Sequence, residues 1–163
     1  AFAHIEHADE GLLEPAAGAR SRPTEKLFLE MAEVPGLAPL MRRLLPGSTH
    51  PFVRDRAFLY LAKHADRASL PHFRAALAVL HPERRIAAMH AIAALGDRAS
   101  IASLVRGLPR LSGEDLAAAA RALVTLGARS AAPAIVRAAA RSEPALRQQL
   151  TSLAASLAAP SKR

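Results

Sequence analysis

Arginine recurs in this chain at a spacing that would set guanidinium groups in rows. Arg67, Arg98 and Arg129 stand 31 residues apart, and Arg54, Arg85 and Arg147 fall on a second series with the same step, one copy skipped. A guanidinium stays charged at any physiological pH and presents a planar fork of donors that fits carboxylate and phosphate. Two such rows are the chemistry of anion recognition. The same side chains have a competing role: to pair internally with Asp55, Glu83, Asp97, Glu114 and Glu143, or to cover apolar surface with their stems. A second group, His4, His7, Asp9 and Glu10, could place two imidazoles on one helical face beside carboxylates, the donor set of a divalent transition metal. Because this segment is acidic and poorly patterned, a solvated role is expected there instead, and no metal or other cofactor is expected. The chain contains no HExxH, phosphate loop, GxGxxG or GxSxG, so no catalytic constellation is read from it.

Rows of side chains need elements that repeat. Asp66-Arg67-Ala68-Ser69 recurs as Asp97-Arg98-Ala99-Ser100 and, in degenerate form, as Ala128-Arg129-Ser130-Ala131. The second and third copies follow Leu-Gly. A fixed period of 31 marks an array of one supersecondary unit. Second helices of the units are expected after Pro51, Pro82, Gly113 and Pro144, near 53–64, 84–95, 115–126 and 146–157. Proline suits the first helical position because its missing N–H would have no partner there. Where Gly113 replaces proline, Ser112 and Asp115 suggest a capping-box-like start. First helices are expected near 67–79, 98–110 and 129–141, with Asp66 and Asp97 capping them. Pro71 and Pro133 then fall where a helix has barely begun, which is the position that tolerates them. Leu37–Leu45, closed by Pro46-Gly47, fits the same pattern with a one-residue shift. Before it, Pro23-Thr24-Glu25 opens a leading helix that ends at Pro35-Gly36, and residues 1–22 form an acidic, poorly patterned leader. The expected domains are that leader and a single array over 23–163.

The totals limit the function. The apolar fraction is 51% with 4% aromatic residues, so the core is built from Ala, Leu, Ile and Val, which suits close helix packing. There is no cysteine, which removes disulfides, thiolate metal sites and cysteine nucleophiles. No apolar run reaches the roughly 18 residues of a membrane span. The net charge of +8 is uneven: residues 1–33 hold seven acidic and three basic side chains, and the rest hold seven acidic and nineteen basic. A basic body of this kind favours an anionic partner. The first residue is Ala1 and not Met, which fits a processed or cut N-terminus. A cytoplasmic location is favoured slightly over an exported one.

The Leu95-Gly96-Asp97 turn, the prolines at 71 and 133 and the alanine-rich helix Arg85–Leu95 resemble the HEAT-like repeats of the phycobilin-lyase type. The resemblance covers residues 37–157. It implies an all-α fold, a right-handed α-solenoid of about four HEAT-like helix pairs of repeat length 31 plus a leading N-terminal helix. It also implies that the second helices line a concave wall. Taking Ile86, Met89, Ile92 and Ala93 as core-facing, the opposite stripe runs through Arg56, Leu59 and Lys63; Ala87, His90 and Ala94; Ala118, Arg121 and Thr125; and Gln149, Ser152 and Ser156. The expected activity is that of a non-catalytic scaffold. It would bind another protein with an acidic surface through Arg56, Lys63, His90, Arg121, Gln149 and Ser152 of the wall and through the arginine edges. The alternatives are nucleic-acid binding by the arginine ladders and a non-catalytic subunit that assists an enzyme. Aromatics for base chemistry are missing from that wall unless Tyr60 reaches it.

Overall fold

The computed structural model describes residue 31 and residues 33–159. The acidic leader, most of the expected leading helix and the His4/His7 group lie outside the described residues. Among the described residues the fold is all-helical, with no strand. Helices α2 (Pro51–Lys63), α4 (Pro82–Ala94), α6 (Gly113–Thr125) and α8 (Pro144–Ala158) begin at intervals of 31. They start two residues earlier than expected because the proline itself is the first helical residue of α2, α4 and α8. Gly113 opens α6 with φ +51°, a value closed to proline, so this start is built differently. The capping box expected there does not form: Ser112 makes no side-chain cap, and the Asp115 carboxylate is held by Arg85 instead.

Each second helix that leads into a repeated turn ends in the same way. Ala65, Gly96 and Gly127 take left-handed φ values of +46°, +66° and +65°. The next amide reaches back five residues, Asp66 to Leu61, Asp97 to Ile92 and Ala128 to Leu123, at 2.9–3.0 Å. Together with the three-residue bonds Ala65 to Ala62, Gly96 to Ala93 and Gly127 to Val124, this is the Schellman pattern that satisfies the last carbonyls of a helix. The first copy forms it with alanine in a conformation that glycine adopts far more readily.

The first helices are shorter than expected and are split. A 3-10 turn comes first, Arg67–Ser69, Arg98–Ser100 and Arg129–Ala131. The α-helices α3 (Leu70–Ala76), α5 (Ile101–Gly107) and α7 (Ala132–Ala139) follow, and α5 runs into a further 3-10 turn, Leu108–Arg110. Pro71 and Pro133 each lie in the opening turn of the α-helix, where no intrahelical N–H is required, but the second copy splits in the same way with Ala102 at that position, so the split does not depend on proline. The earlier helix α1 spans Ala38–Gly47 and carries Pro46 in its last turn.

The chain divides into two compact units, Ala1–Asp66 and Arg67–Arg163, and the division falls inside the repeated tetrapeptide. In the first unit α1 packs on α2, burying Met41, Leu44, Val53, Phe58 and Leu61. Tyr60 is also buried, so it presents no ring for base stacking. Its hydroxyl donates to the Val34 carbonyl at 2.7 Å and accepts from the Leu37 amide at 3.1 Å, tying the 34–37 turn to α2. In the second unit α6 packs against both α4 and α8, α3 packs on α4, and α7 on α8. Enclosed in this way, α6 buries Leu116, Ala117 to Ala120, Ala122 and Leu123. Small side chains let the neighbouring helices approach closely.

Candidate functional site

Asp97 was expected to cap a helix. No side-chain cap is made, because its carboxylate is drawn elsewhere. Arg74 grips it with two hydrogen bonds, Nε to Oδ2 at 2.9 Å and Nη2 to Oδ1 at 2.6 Å, and the buried Ser100 hydroxyl donates to Oδ2 at 2.5 Å. The Arg74 hydrogen bonds are the main force holding the Asp97 carboxyl below its usual range; Ser100, the Arg74 charge and the Ala99 amide act in the same direction against the effect of burial. Arg74 is raised by the same pairing. The first unit holds a looser equivalent, Arg42 Nε at 3.8 Å from Asp66 Oδ2. In the third copy all three positions change together: Arg74, Asp97 and Ser100 correspond to Val105, Ala128 and Ala131, of which Ala128 and Ala131 are buried. An unpaired carboxylate or hydroxyl in those places would be destabilising, so the polar triad is either present whole or replaced whole.

The two arginine series separate cleanly. Arg54 donates through Nη1 to the Ser48 carbonyl at 2.8 Å, Arg85 through Nη1 to the Val79 carbonyl at 2.7 Å, and Arg147 through Nη2 to the Ser142 carbonyl at 2.9 Å. Each guanidinium reaches back five or six residues from the first turn of a second helix and fastens the connection that precedes it. Arg85 goes further and also pairs with Asp115 of α6, and both of these side chains are largely buried. This series braces the fold. By contrast Arg67, Arg98 and Arg129 are all exposed at the first position of their 3-10 turns.

The wall positions behave unequally. His90, Ser152 and Gln149 are exposed, and Arg56 and Arg121 are half-buried. Arg56 lies over the Phe52 ring, 5.2 Å from its centroid, a cation–π distance. Lys63 donates to Glu33 at 2.5 Å, and this pairing lowers the Glu33 carboxyl from its usual value. Between them, Ala118 is fully buried, because α6 is covered by helices from both sides.

Arg121 and Gln149 do come together. They line a groove of about 780 Å³ bounded by α6, α7, α8 and the connection before α6. Its floor includes Leu116, Ala117, Ala138 and Leu146, and its rim carries Glu114, Arg141 and Glu143. A smaller groove of about 420 Å³ adjoins it across Pro109, Ala138 and Arg141, and Arg137 and Val105 also line it. Sequence reasoning passed over Arg74 and gave neither Asp115 nor Ser100 the role it has here. The joint replacement of the triad in the third copy was the signal that could have found two of them. No family model, curated protein or solved structure matches the chain.

Proposed function

We propose that the chain is a non-catalytic scaffold, a right-handed solenoid of HEAT-like helix pairs that binds another protein along its second helices. The single observation that carries this reading is the groove of α6 and α8, where Arg121 and Gln149, placed on one stripe by the 31-residue period, share an open apolar floor. A groove with an apolar floor and a charged rim suits a polypeptide that carries apolar anchors and a few carboxylates. Within the second unit His90 and Ser152 fall on the same stripe, and Arg56 and Lys63 of the first unit share its sequence register. The test is affinity capture from the source cell with the native chain and with an Arg56→Glu/Arg121→Glu variant. Loss of a defined partner at unchanged thermal stability supports the reading. Unchanged capture removes this surface from it.

A further inference from the structure

Charge in the second unit is divided by layer. Its five acidic residues, Glu83, Asp97, Glu114, Asp115 and Glu143, all lie on second helices or on the turns that join them, and none lies on the first helices. From 67 to 79, 98 to 110 and 129 to 141 there are eight arginines, no acidic residue and no lysine. A genome that favours arginine over lysine accounts for the absence of lysine. It does not account for carboxylates being excluded from one layer of helices and kept in the other.

Most of these arginines lie at exposed positions in one register. Steps of four residues trace a stripe, 67-71-75-79, 98-102-106-110 and 129-133-137-141, that runs from each opening 3-10 turn through the short α-helix to the turn after it, and all twelve positions are exposed. The stripe holds Arg67 in the first copy, Arg98, Arg106 and Arg110 in the second, and Arg129, Arg137 and Arg141 in the third. The second and third rows are neighbours, since the Leu108–Arg110 turn packs on α7 and Val105, Leu108 and Pro109 line the smaller groove together with Arg137 and Arg141. Apart from Val79, the residues between the arginines are alanine and proline, so the surface offers little relief. Among the described residues no salt bridge engages Arg98, Arg106, Arg110, Arg137 or Arg141, although Glu114 and Glu143 follow closely in sequence.

We infer that this face binds the phosphate backbone of double-stranded nucleic acid without reading its sequence. Each row spans about 18 Å at 1.5 Å per residue, and adjacent helices stand about 8–10 Å apart. The patch therefore meets several phosphates of a duplex, which carries one charge per about 1.7 Å of axis. Arginine forks bind phosphate oxygens bidentately. The second unit's one aromatic residue, Phe73, is fully buried, so no platform for stacking unpaired bases is offered. An acidic polypeptide is the weaker fit, because protein interfaces draw their energy from central apolar and aromatic anchors, and this layer exposes no aromatic residue and only Val79, Leu80 and Val136 as scattered large aliphatic ones. Of the stripe only Arg141 also lines the groove of the scaffold reading, so the two assignments are separated at Arg98, Arg106 and Arg137 and either can fail alone.

The experiment is fluorescence anisotropy of the full chain with a labelled random-sequence DNA duplex between 50 and 200 mM salt. With about five phosphates neutralised, log affinity should fall with log salt at a slope of about −4 to −5. An Arg98→Gln/Arg106→Gln/Arg137→Gln variant, checked for native circular dichroism, should reduce that slope by about 2–3 and weaken low-salt binding by at least about tenfold. An Arg84→Gln/Arg147→Gln variant, also checked for native circular dichroism, which removes charge from the other layer, should leave the slope in place. The assignment is overturned by absence of binding at 50 mM salt, by an unchanged slope in the triple variant, or by an equal loss in the second-layer variant. Displacement of the duplex by poly-glutamate as readily as by unlabelled duplex at equal charge also overturns it, in favour of an acidic polypeptide.

Discussion

Two sets of arginines share a residue type and a 31-residue period and have opposite fates. Arg54, Arg85 and Arg147 turn back to hold the carbonyls of the preceding connection, whereas Arg67, Arg98 and Arg129 stand exposed at the entrance to each first helix. Periodicity alone does not separate bracing from display. What separates them is the distance from a helix start to unsatisfied carbonyls: an arginine in the first turn of a second helix finds loop carbonyls five or six residues behind it, while an arginine that opens a 3-10 turn stands at an exposed position.

The contrast is broken most forcefully at Arg85. Replacing it with Gln removes the bond to Val79 and leaves Asp115 largely buried with its ion pair gone, and a loss of about 2–3 kcal/mol in denaturant unfolding is expected. Arg98→Gln removes no contact and should stay within about 0.5 kcal/mol of the native chain.

The helix ends sharpen the comparison by a smaller amount. Ala65→Gly relieves a left-handed alanine and should stabilise the first unit by about 1 kcal/mol, while Gly96→Ala should destabilise the second by a similar amount. If both substitutions shift stability the same way, the shared Schellman geometry is not what terminates these helices.

The smallest effect is one of pH. The folded-state carboxyl of Asp97 is lowered below its unfolded value of about 3.9. Its contribution is therefore present above that value and is lost as pH falls through the lowered folded value. Asp97→Asn should be less stable at neutral pH and show a flatter decline on acidification, with the two proteins converging once Asp97 is protonated. Parallel acid limbs would show that the Arg74 contact does not bear on folding.

How much of this was legible follows from the range of each interaction. The starts of α2, α4 and α8 and the positions of the three turns could be read because proline and the repeated tetrapeptide mark them locally. The shortness of the first helices was half-legible, since Pro71 and Pro133 allowed only a helix that had barely begun. The capping role given to Asp97 was misread. Its partner Arg74 lies 23 residues away, and the packing of α3 on α4 has to be known before the pair can be seen. Arg85 and Asp115, 30 residues apart on neighbouring second helices, were hidden for the same reason. On the wall stripe, Ala118 looked equivalent to Ala87 by register, but α6 has a helix on each side and buries fully what α4 leaves partly exposed.

The division of the arginines into braces and displayed charges is tested most directly by one paired measurement, the denaturant midpoints of Arg85→Gln and Arg98→Gln compared with the native chain. A large loss for Arg85→Gln beside an unchanged midpoint for Arg98→Gln is the expected result. Equal losses, or a loss confined to Arg98→Gln, would contradict it.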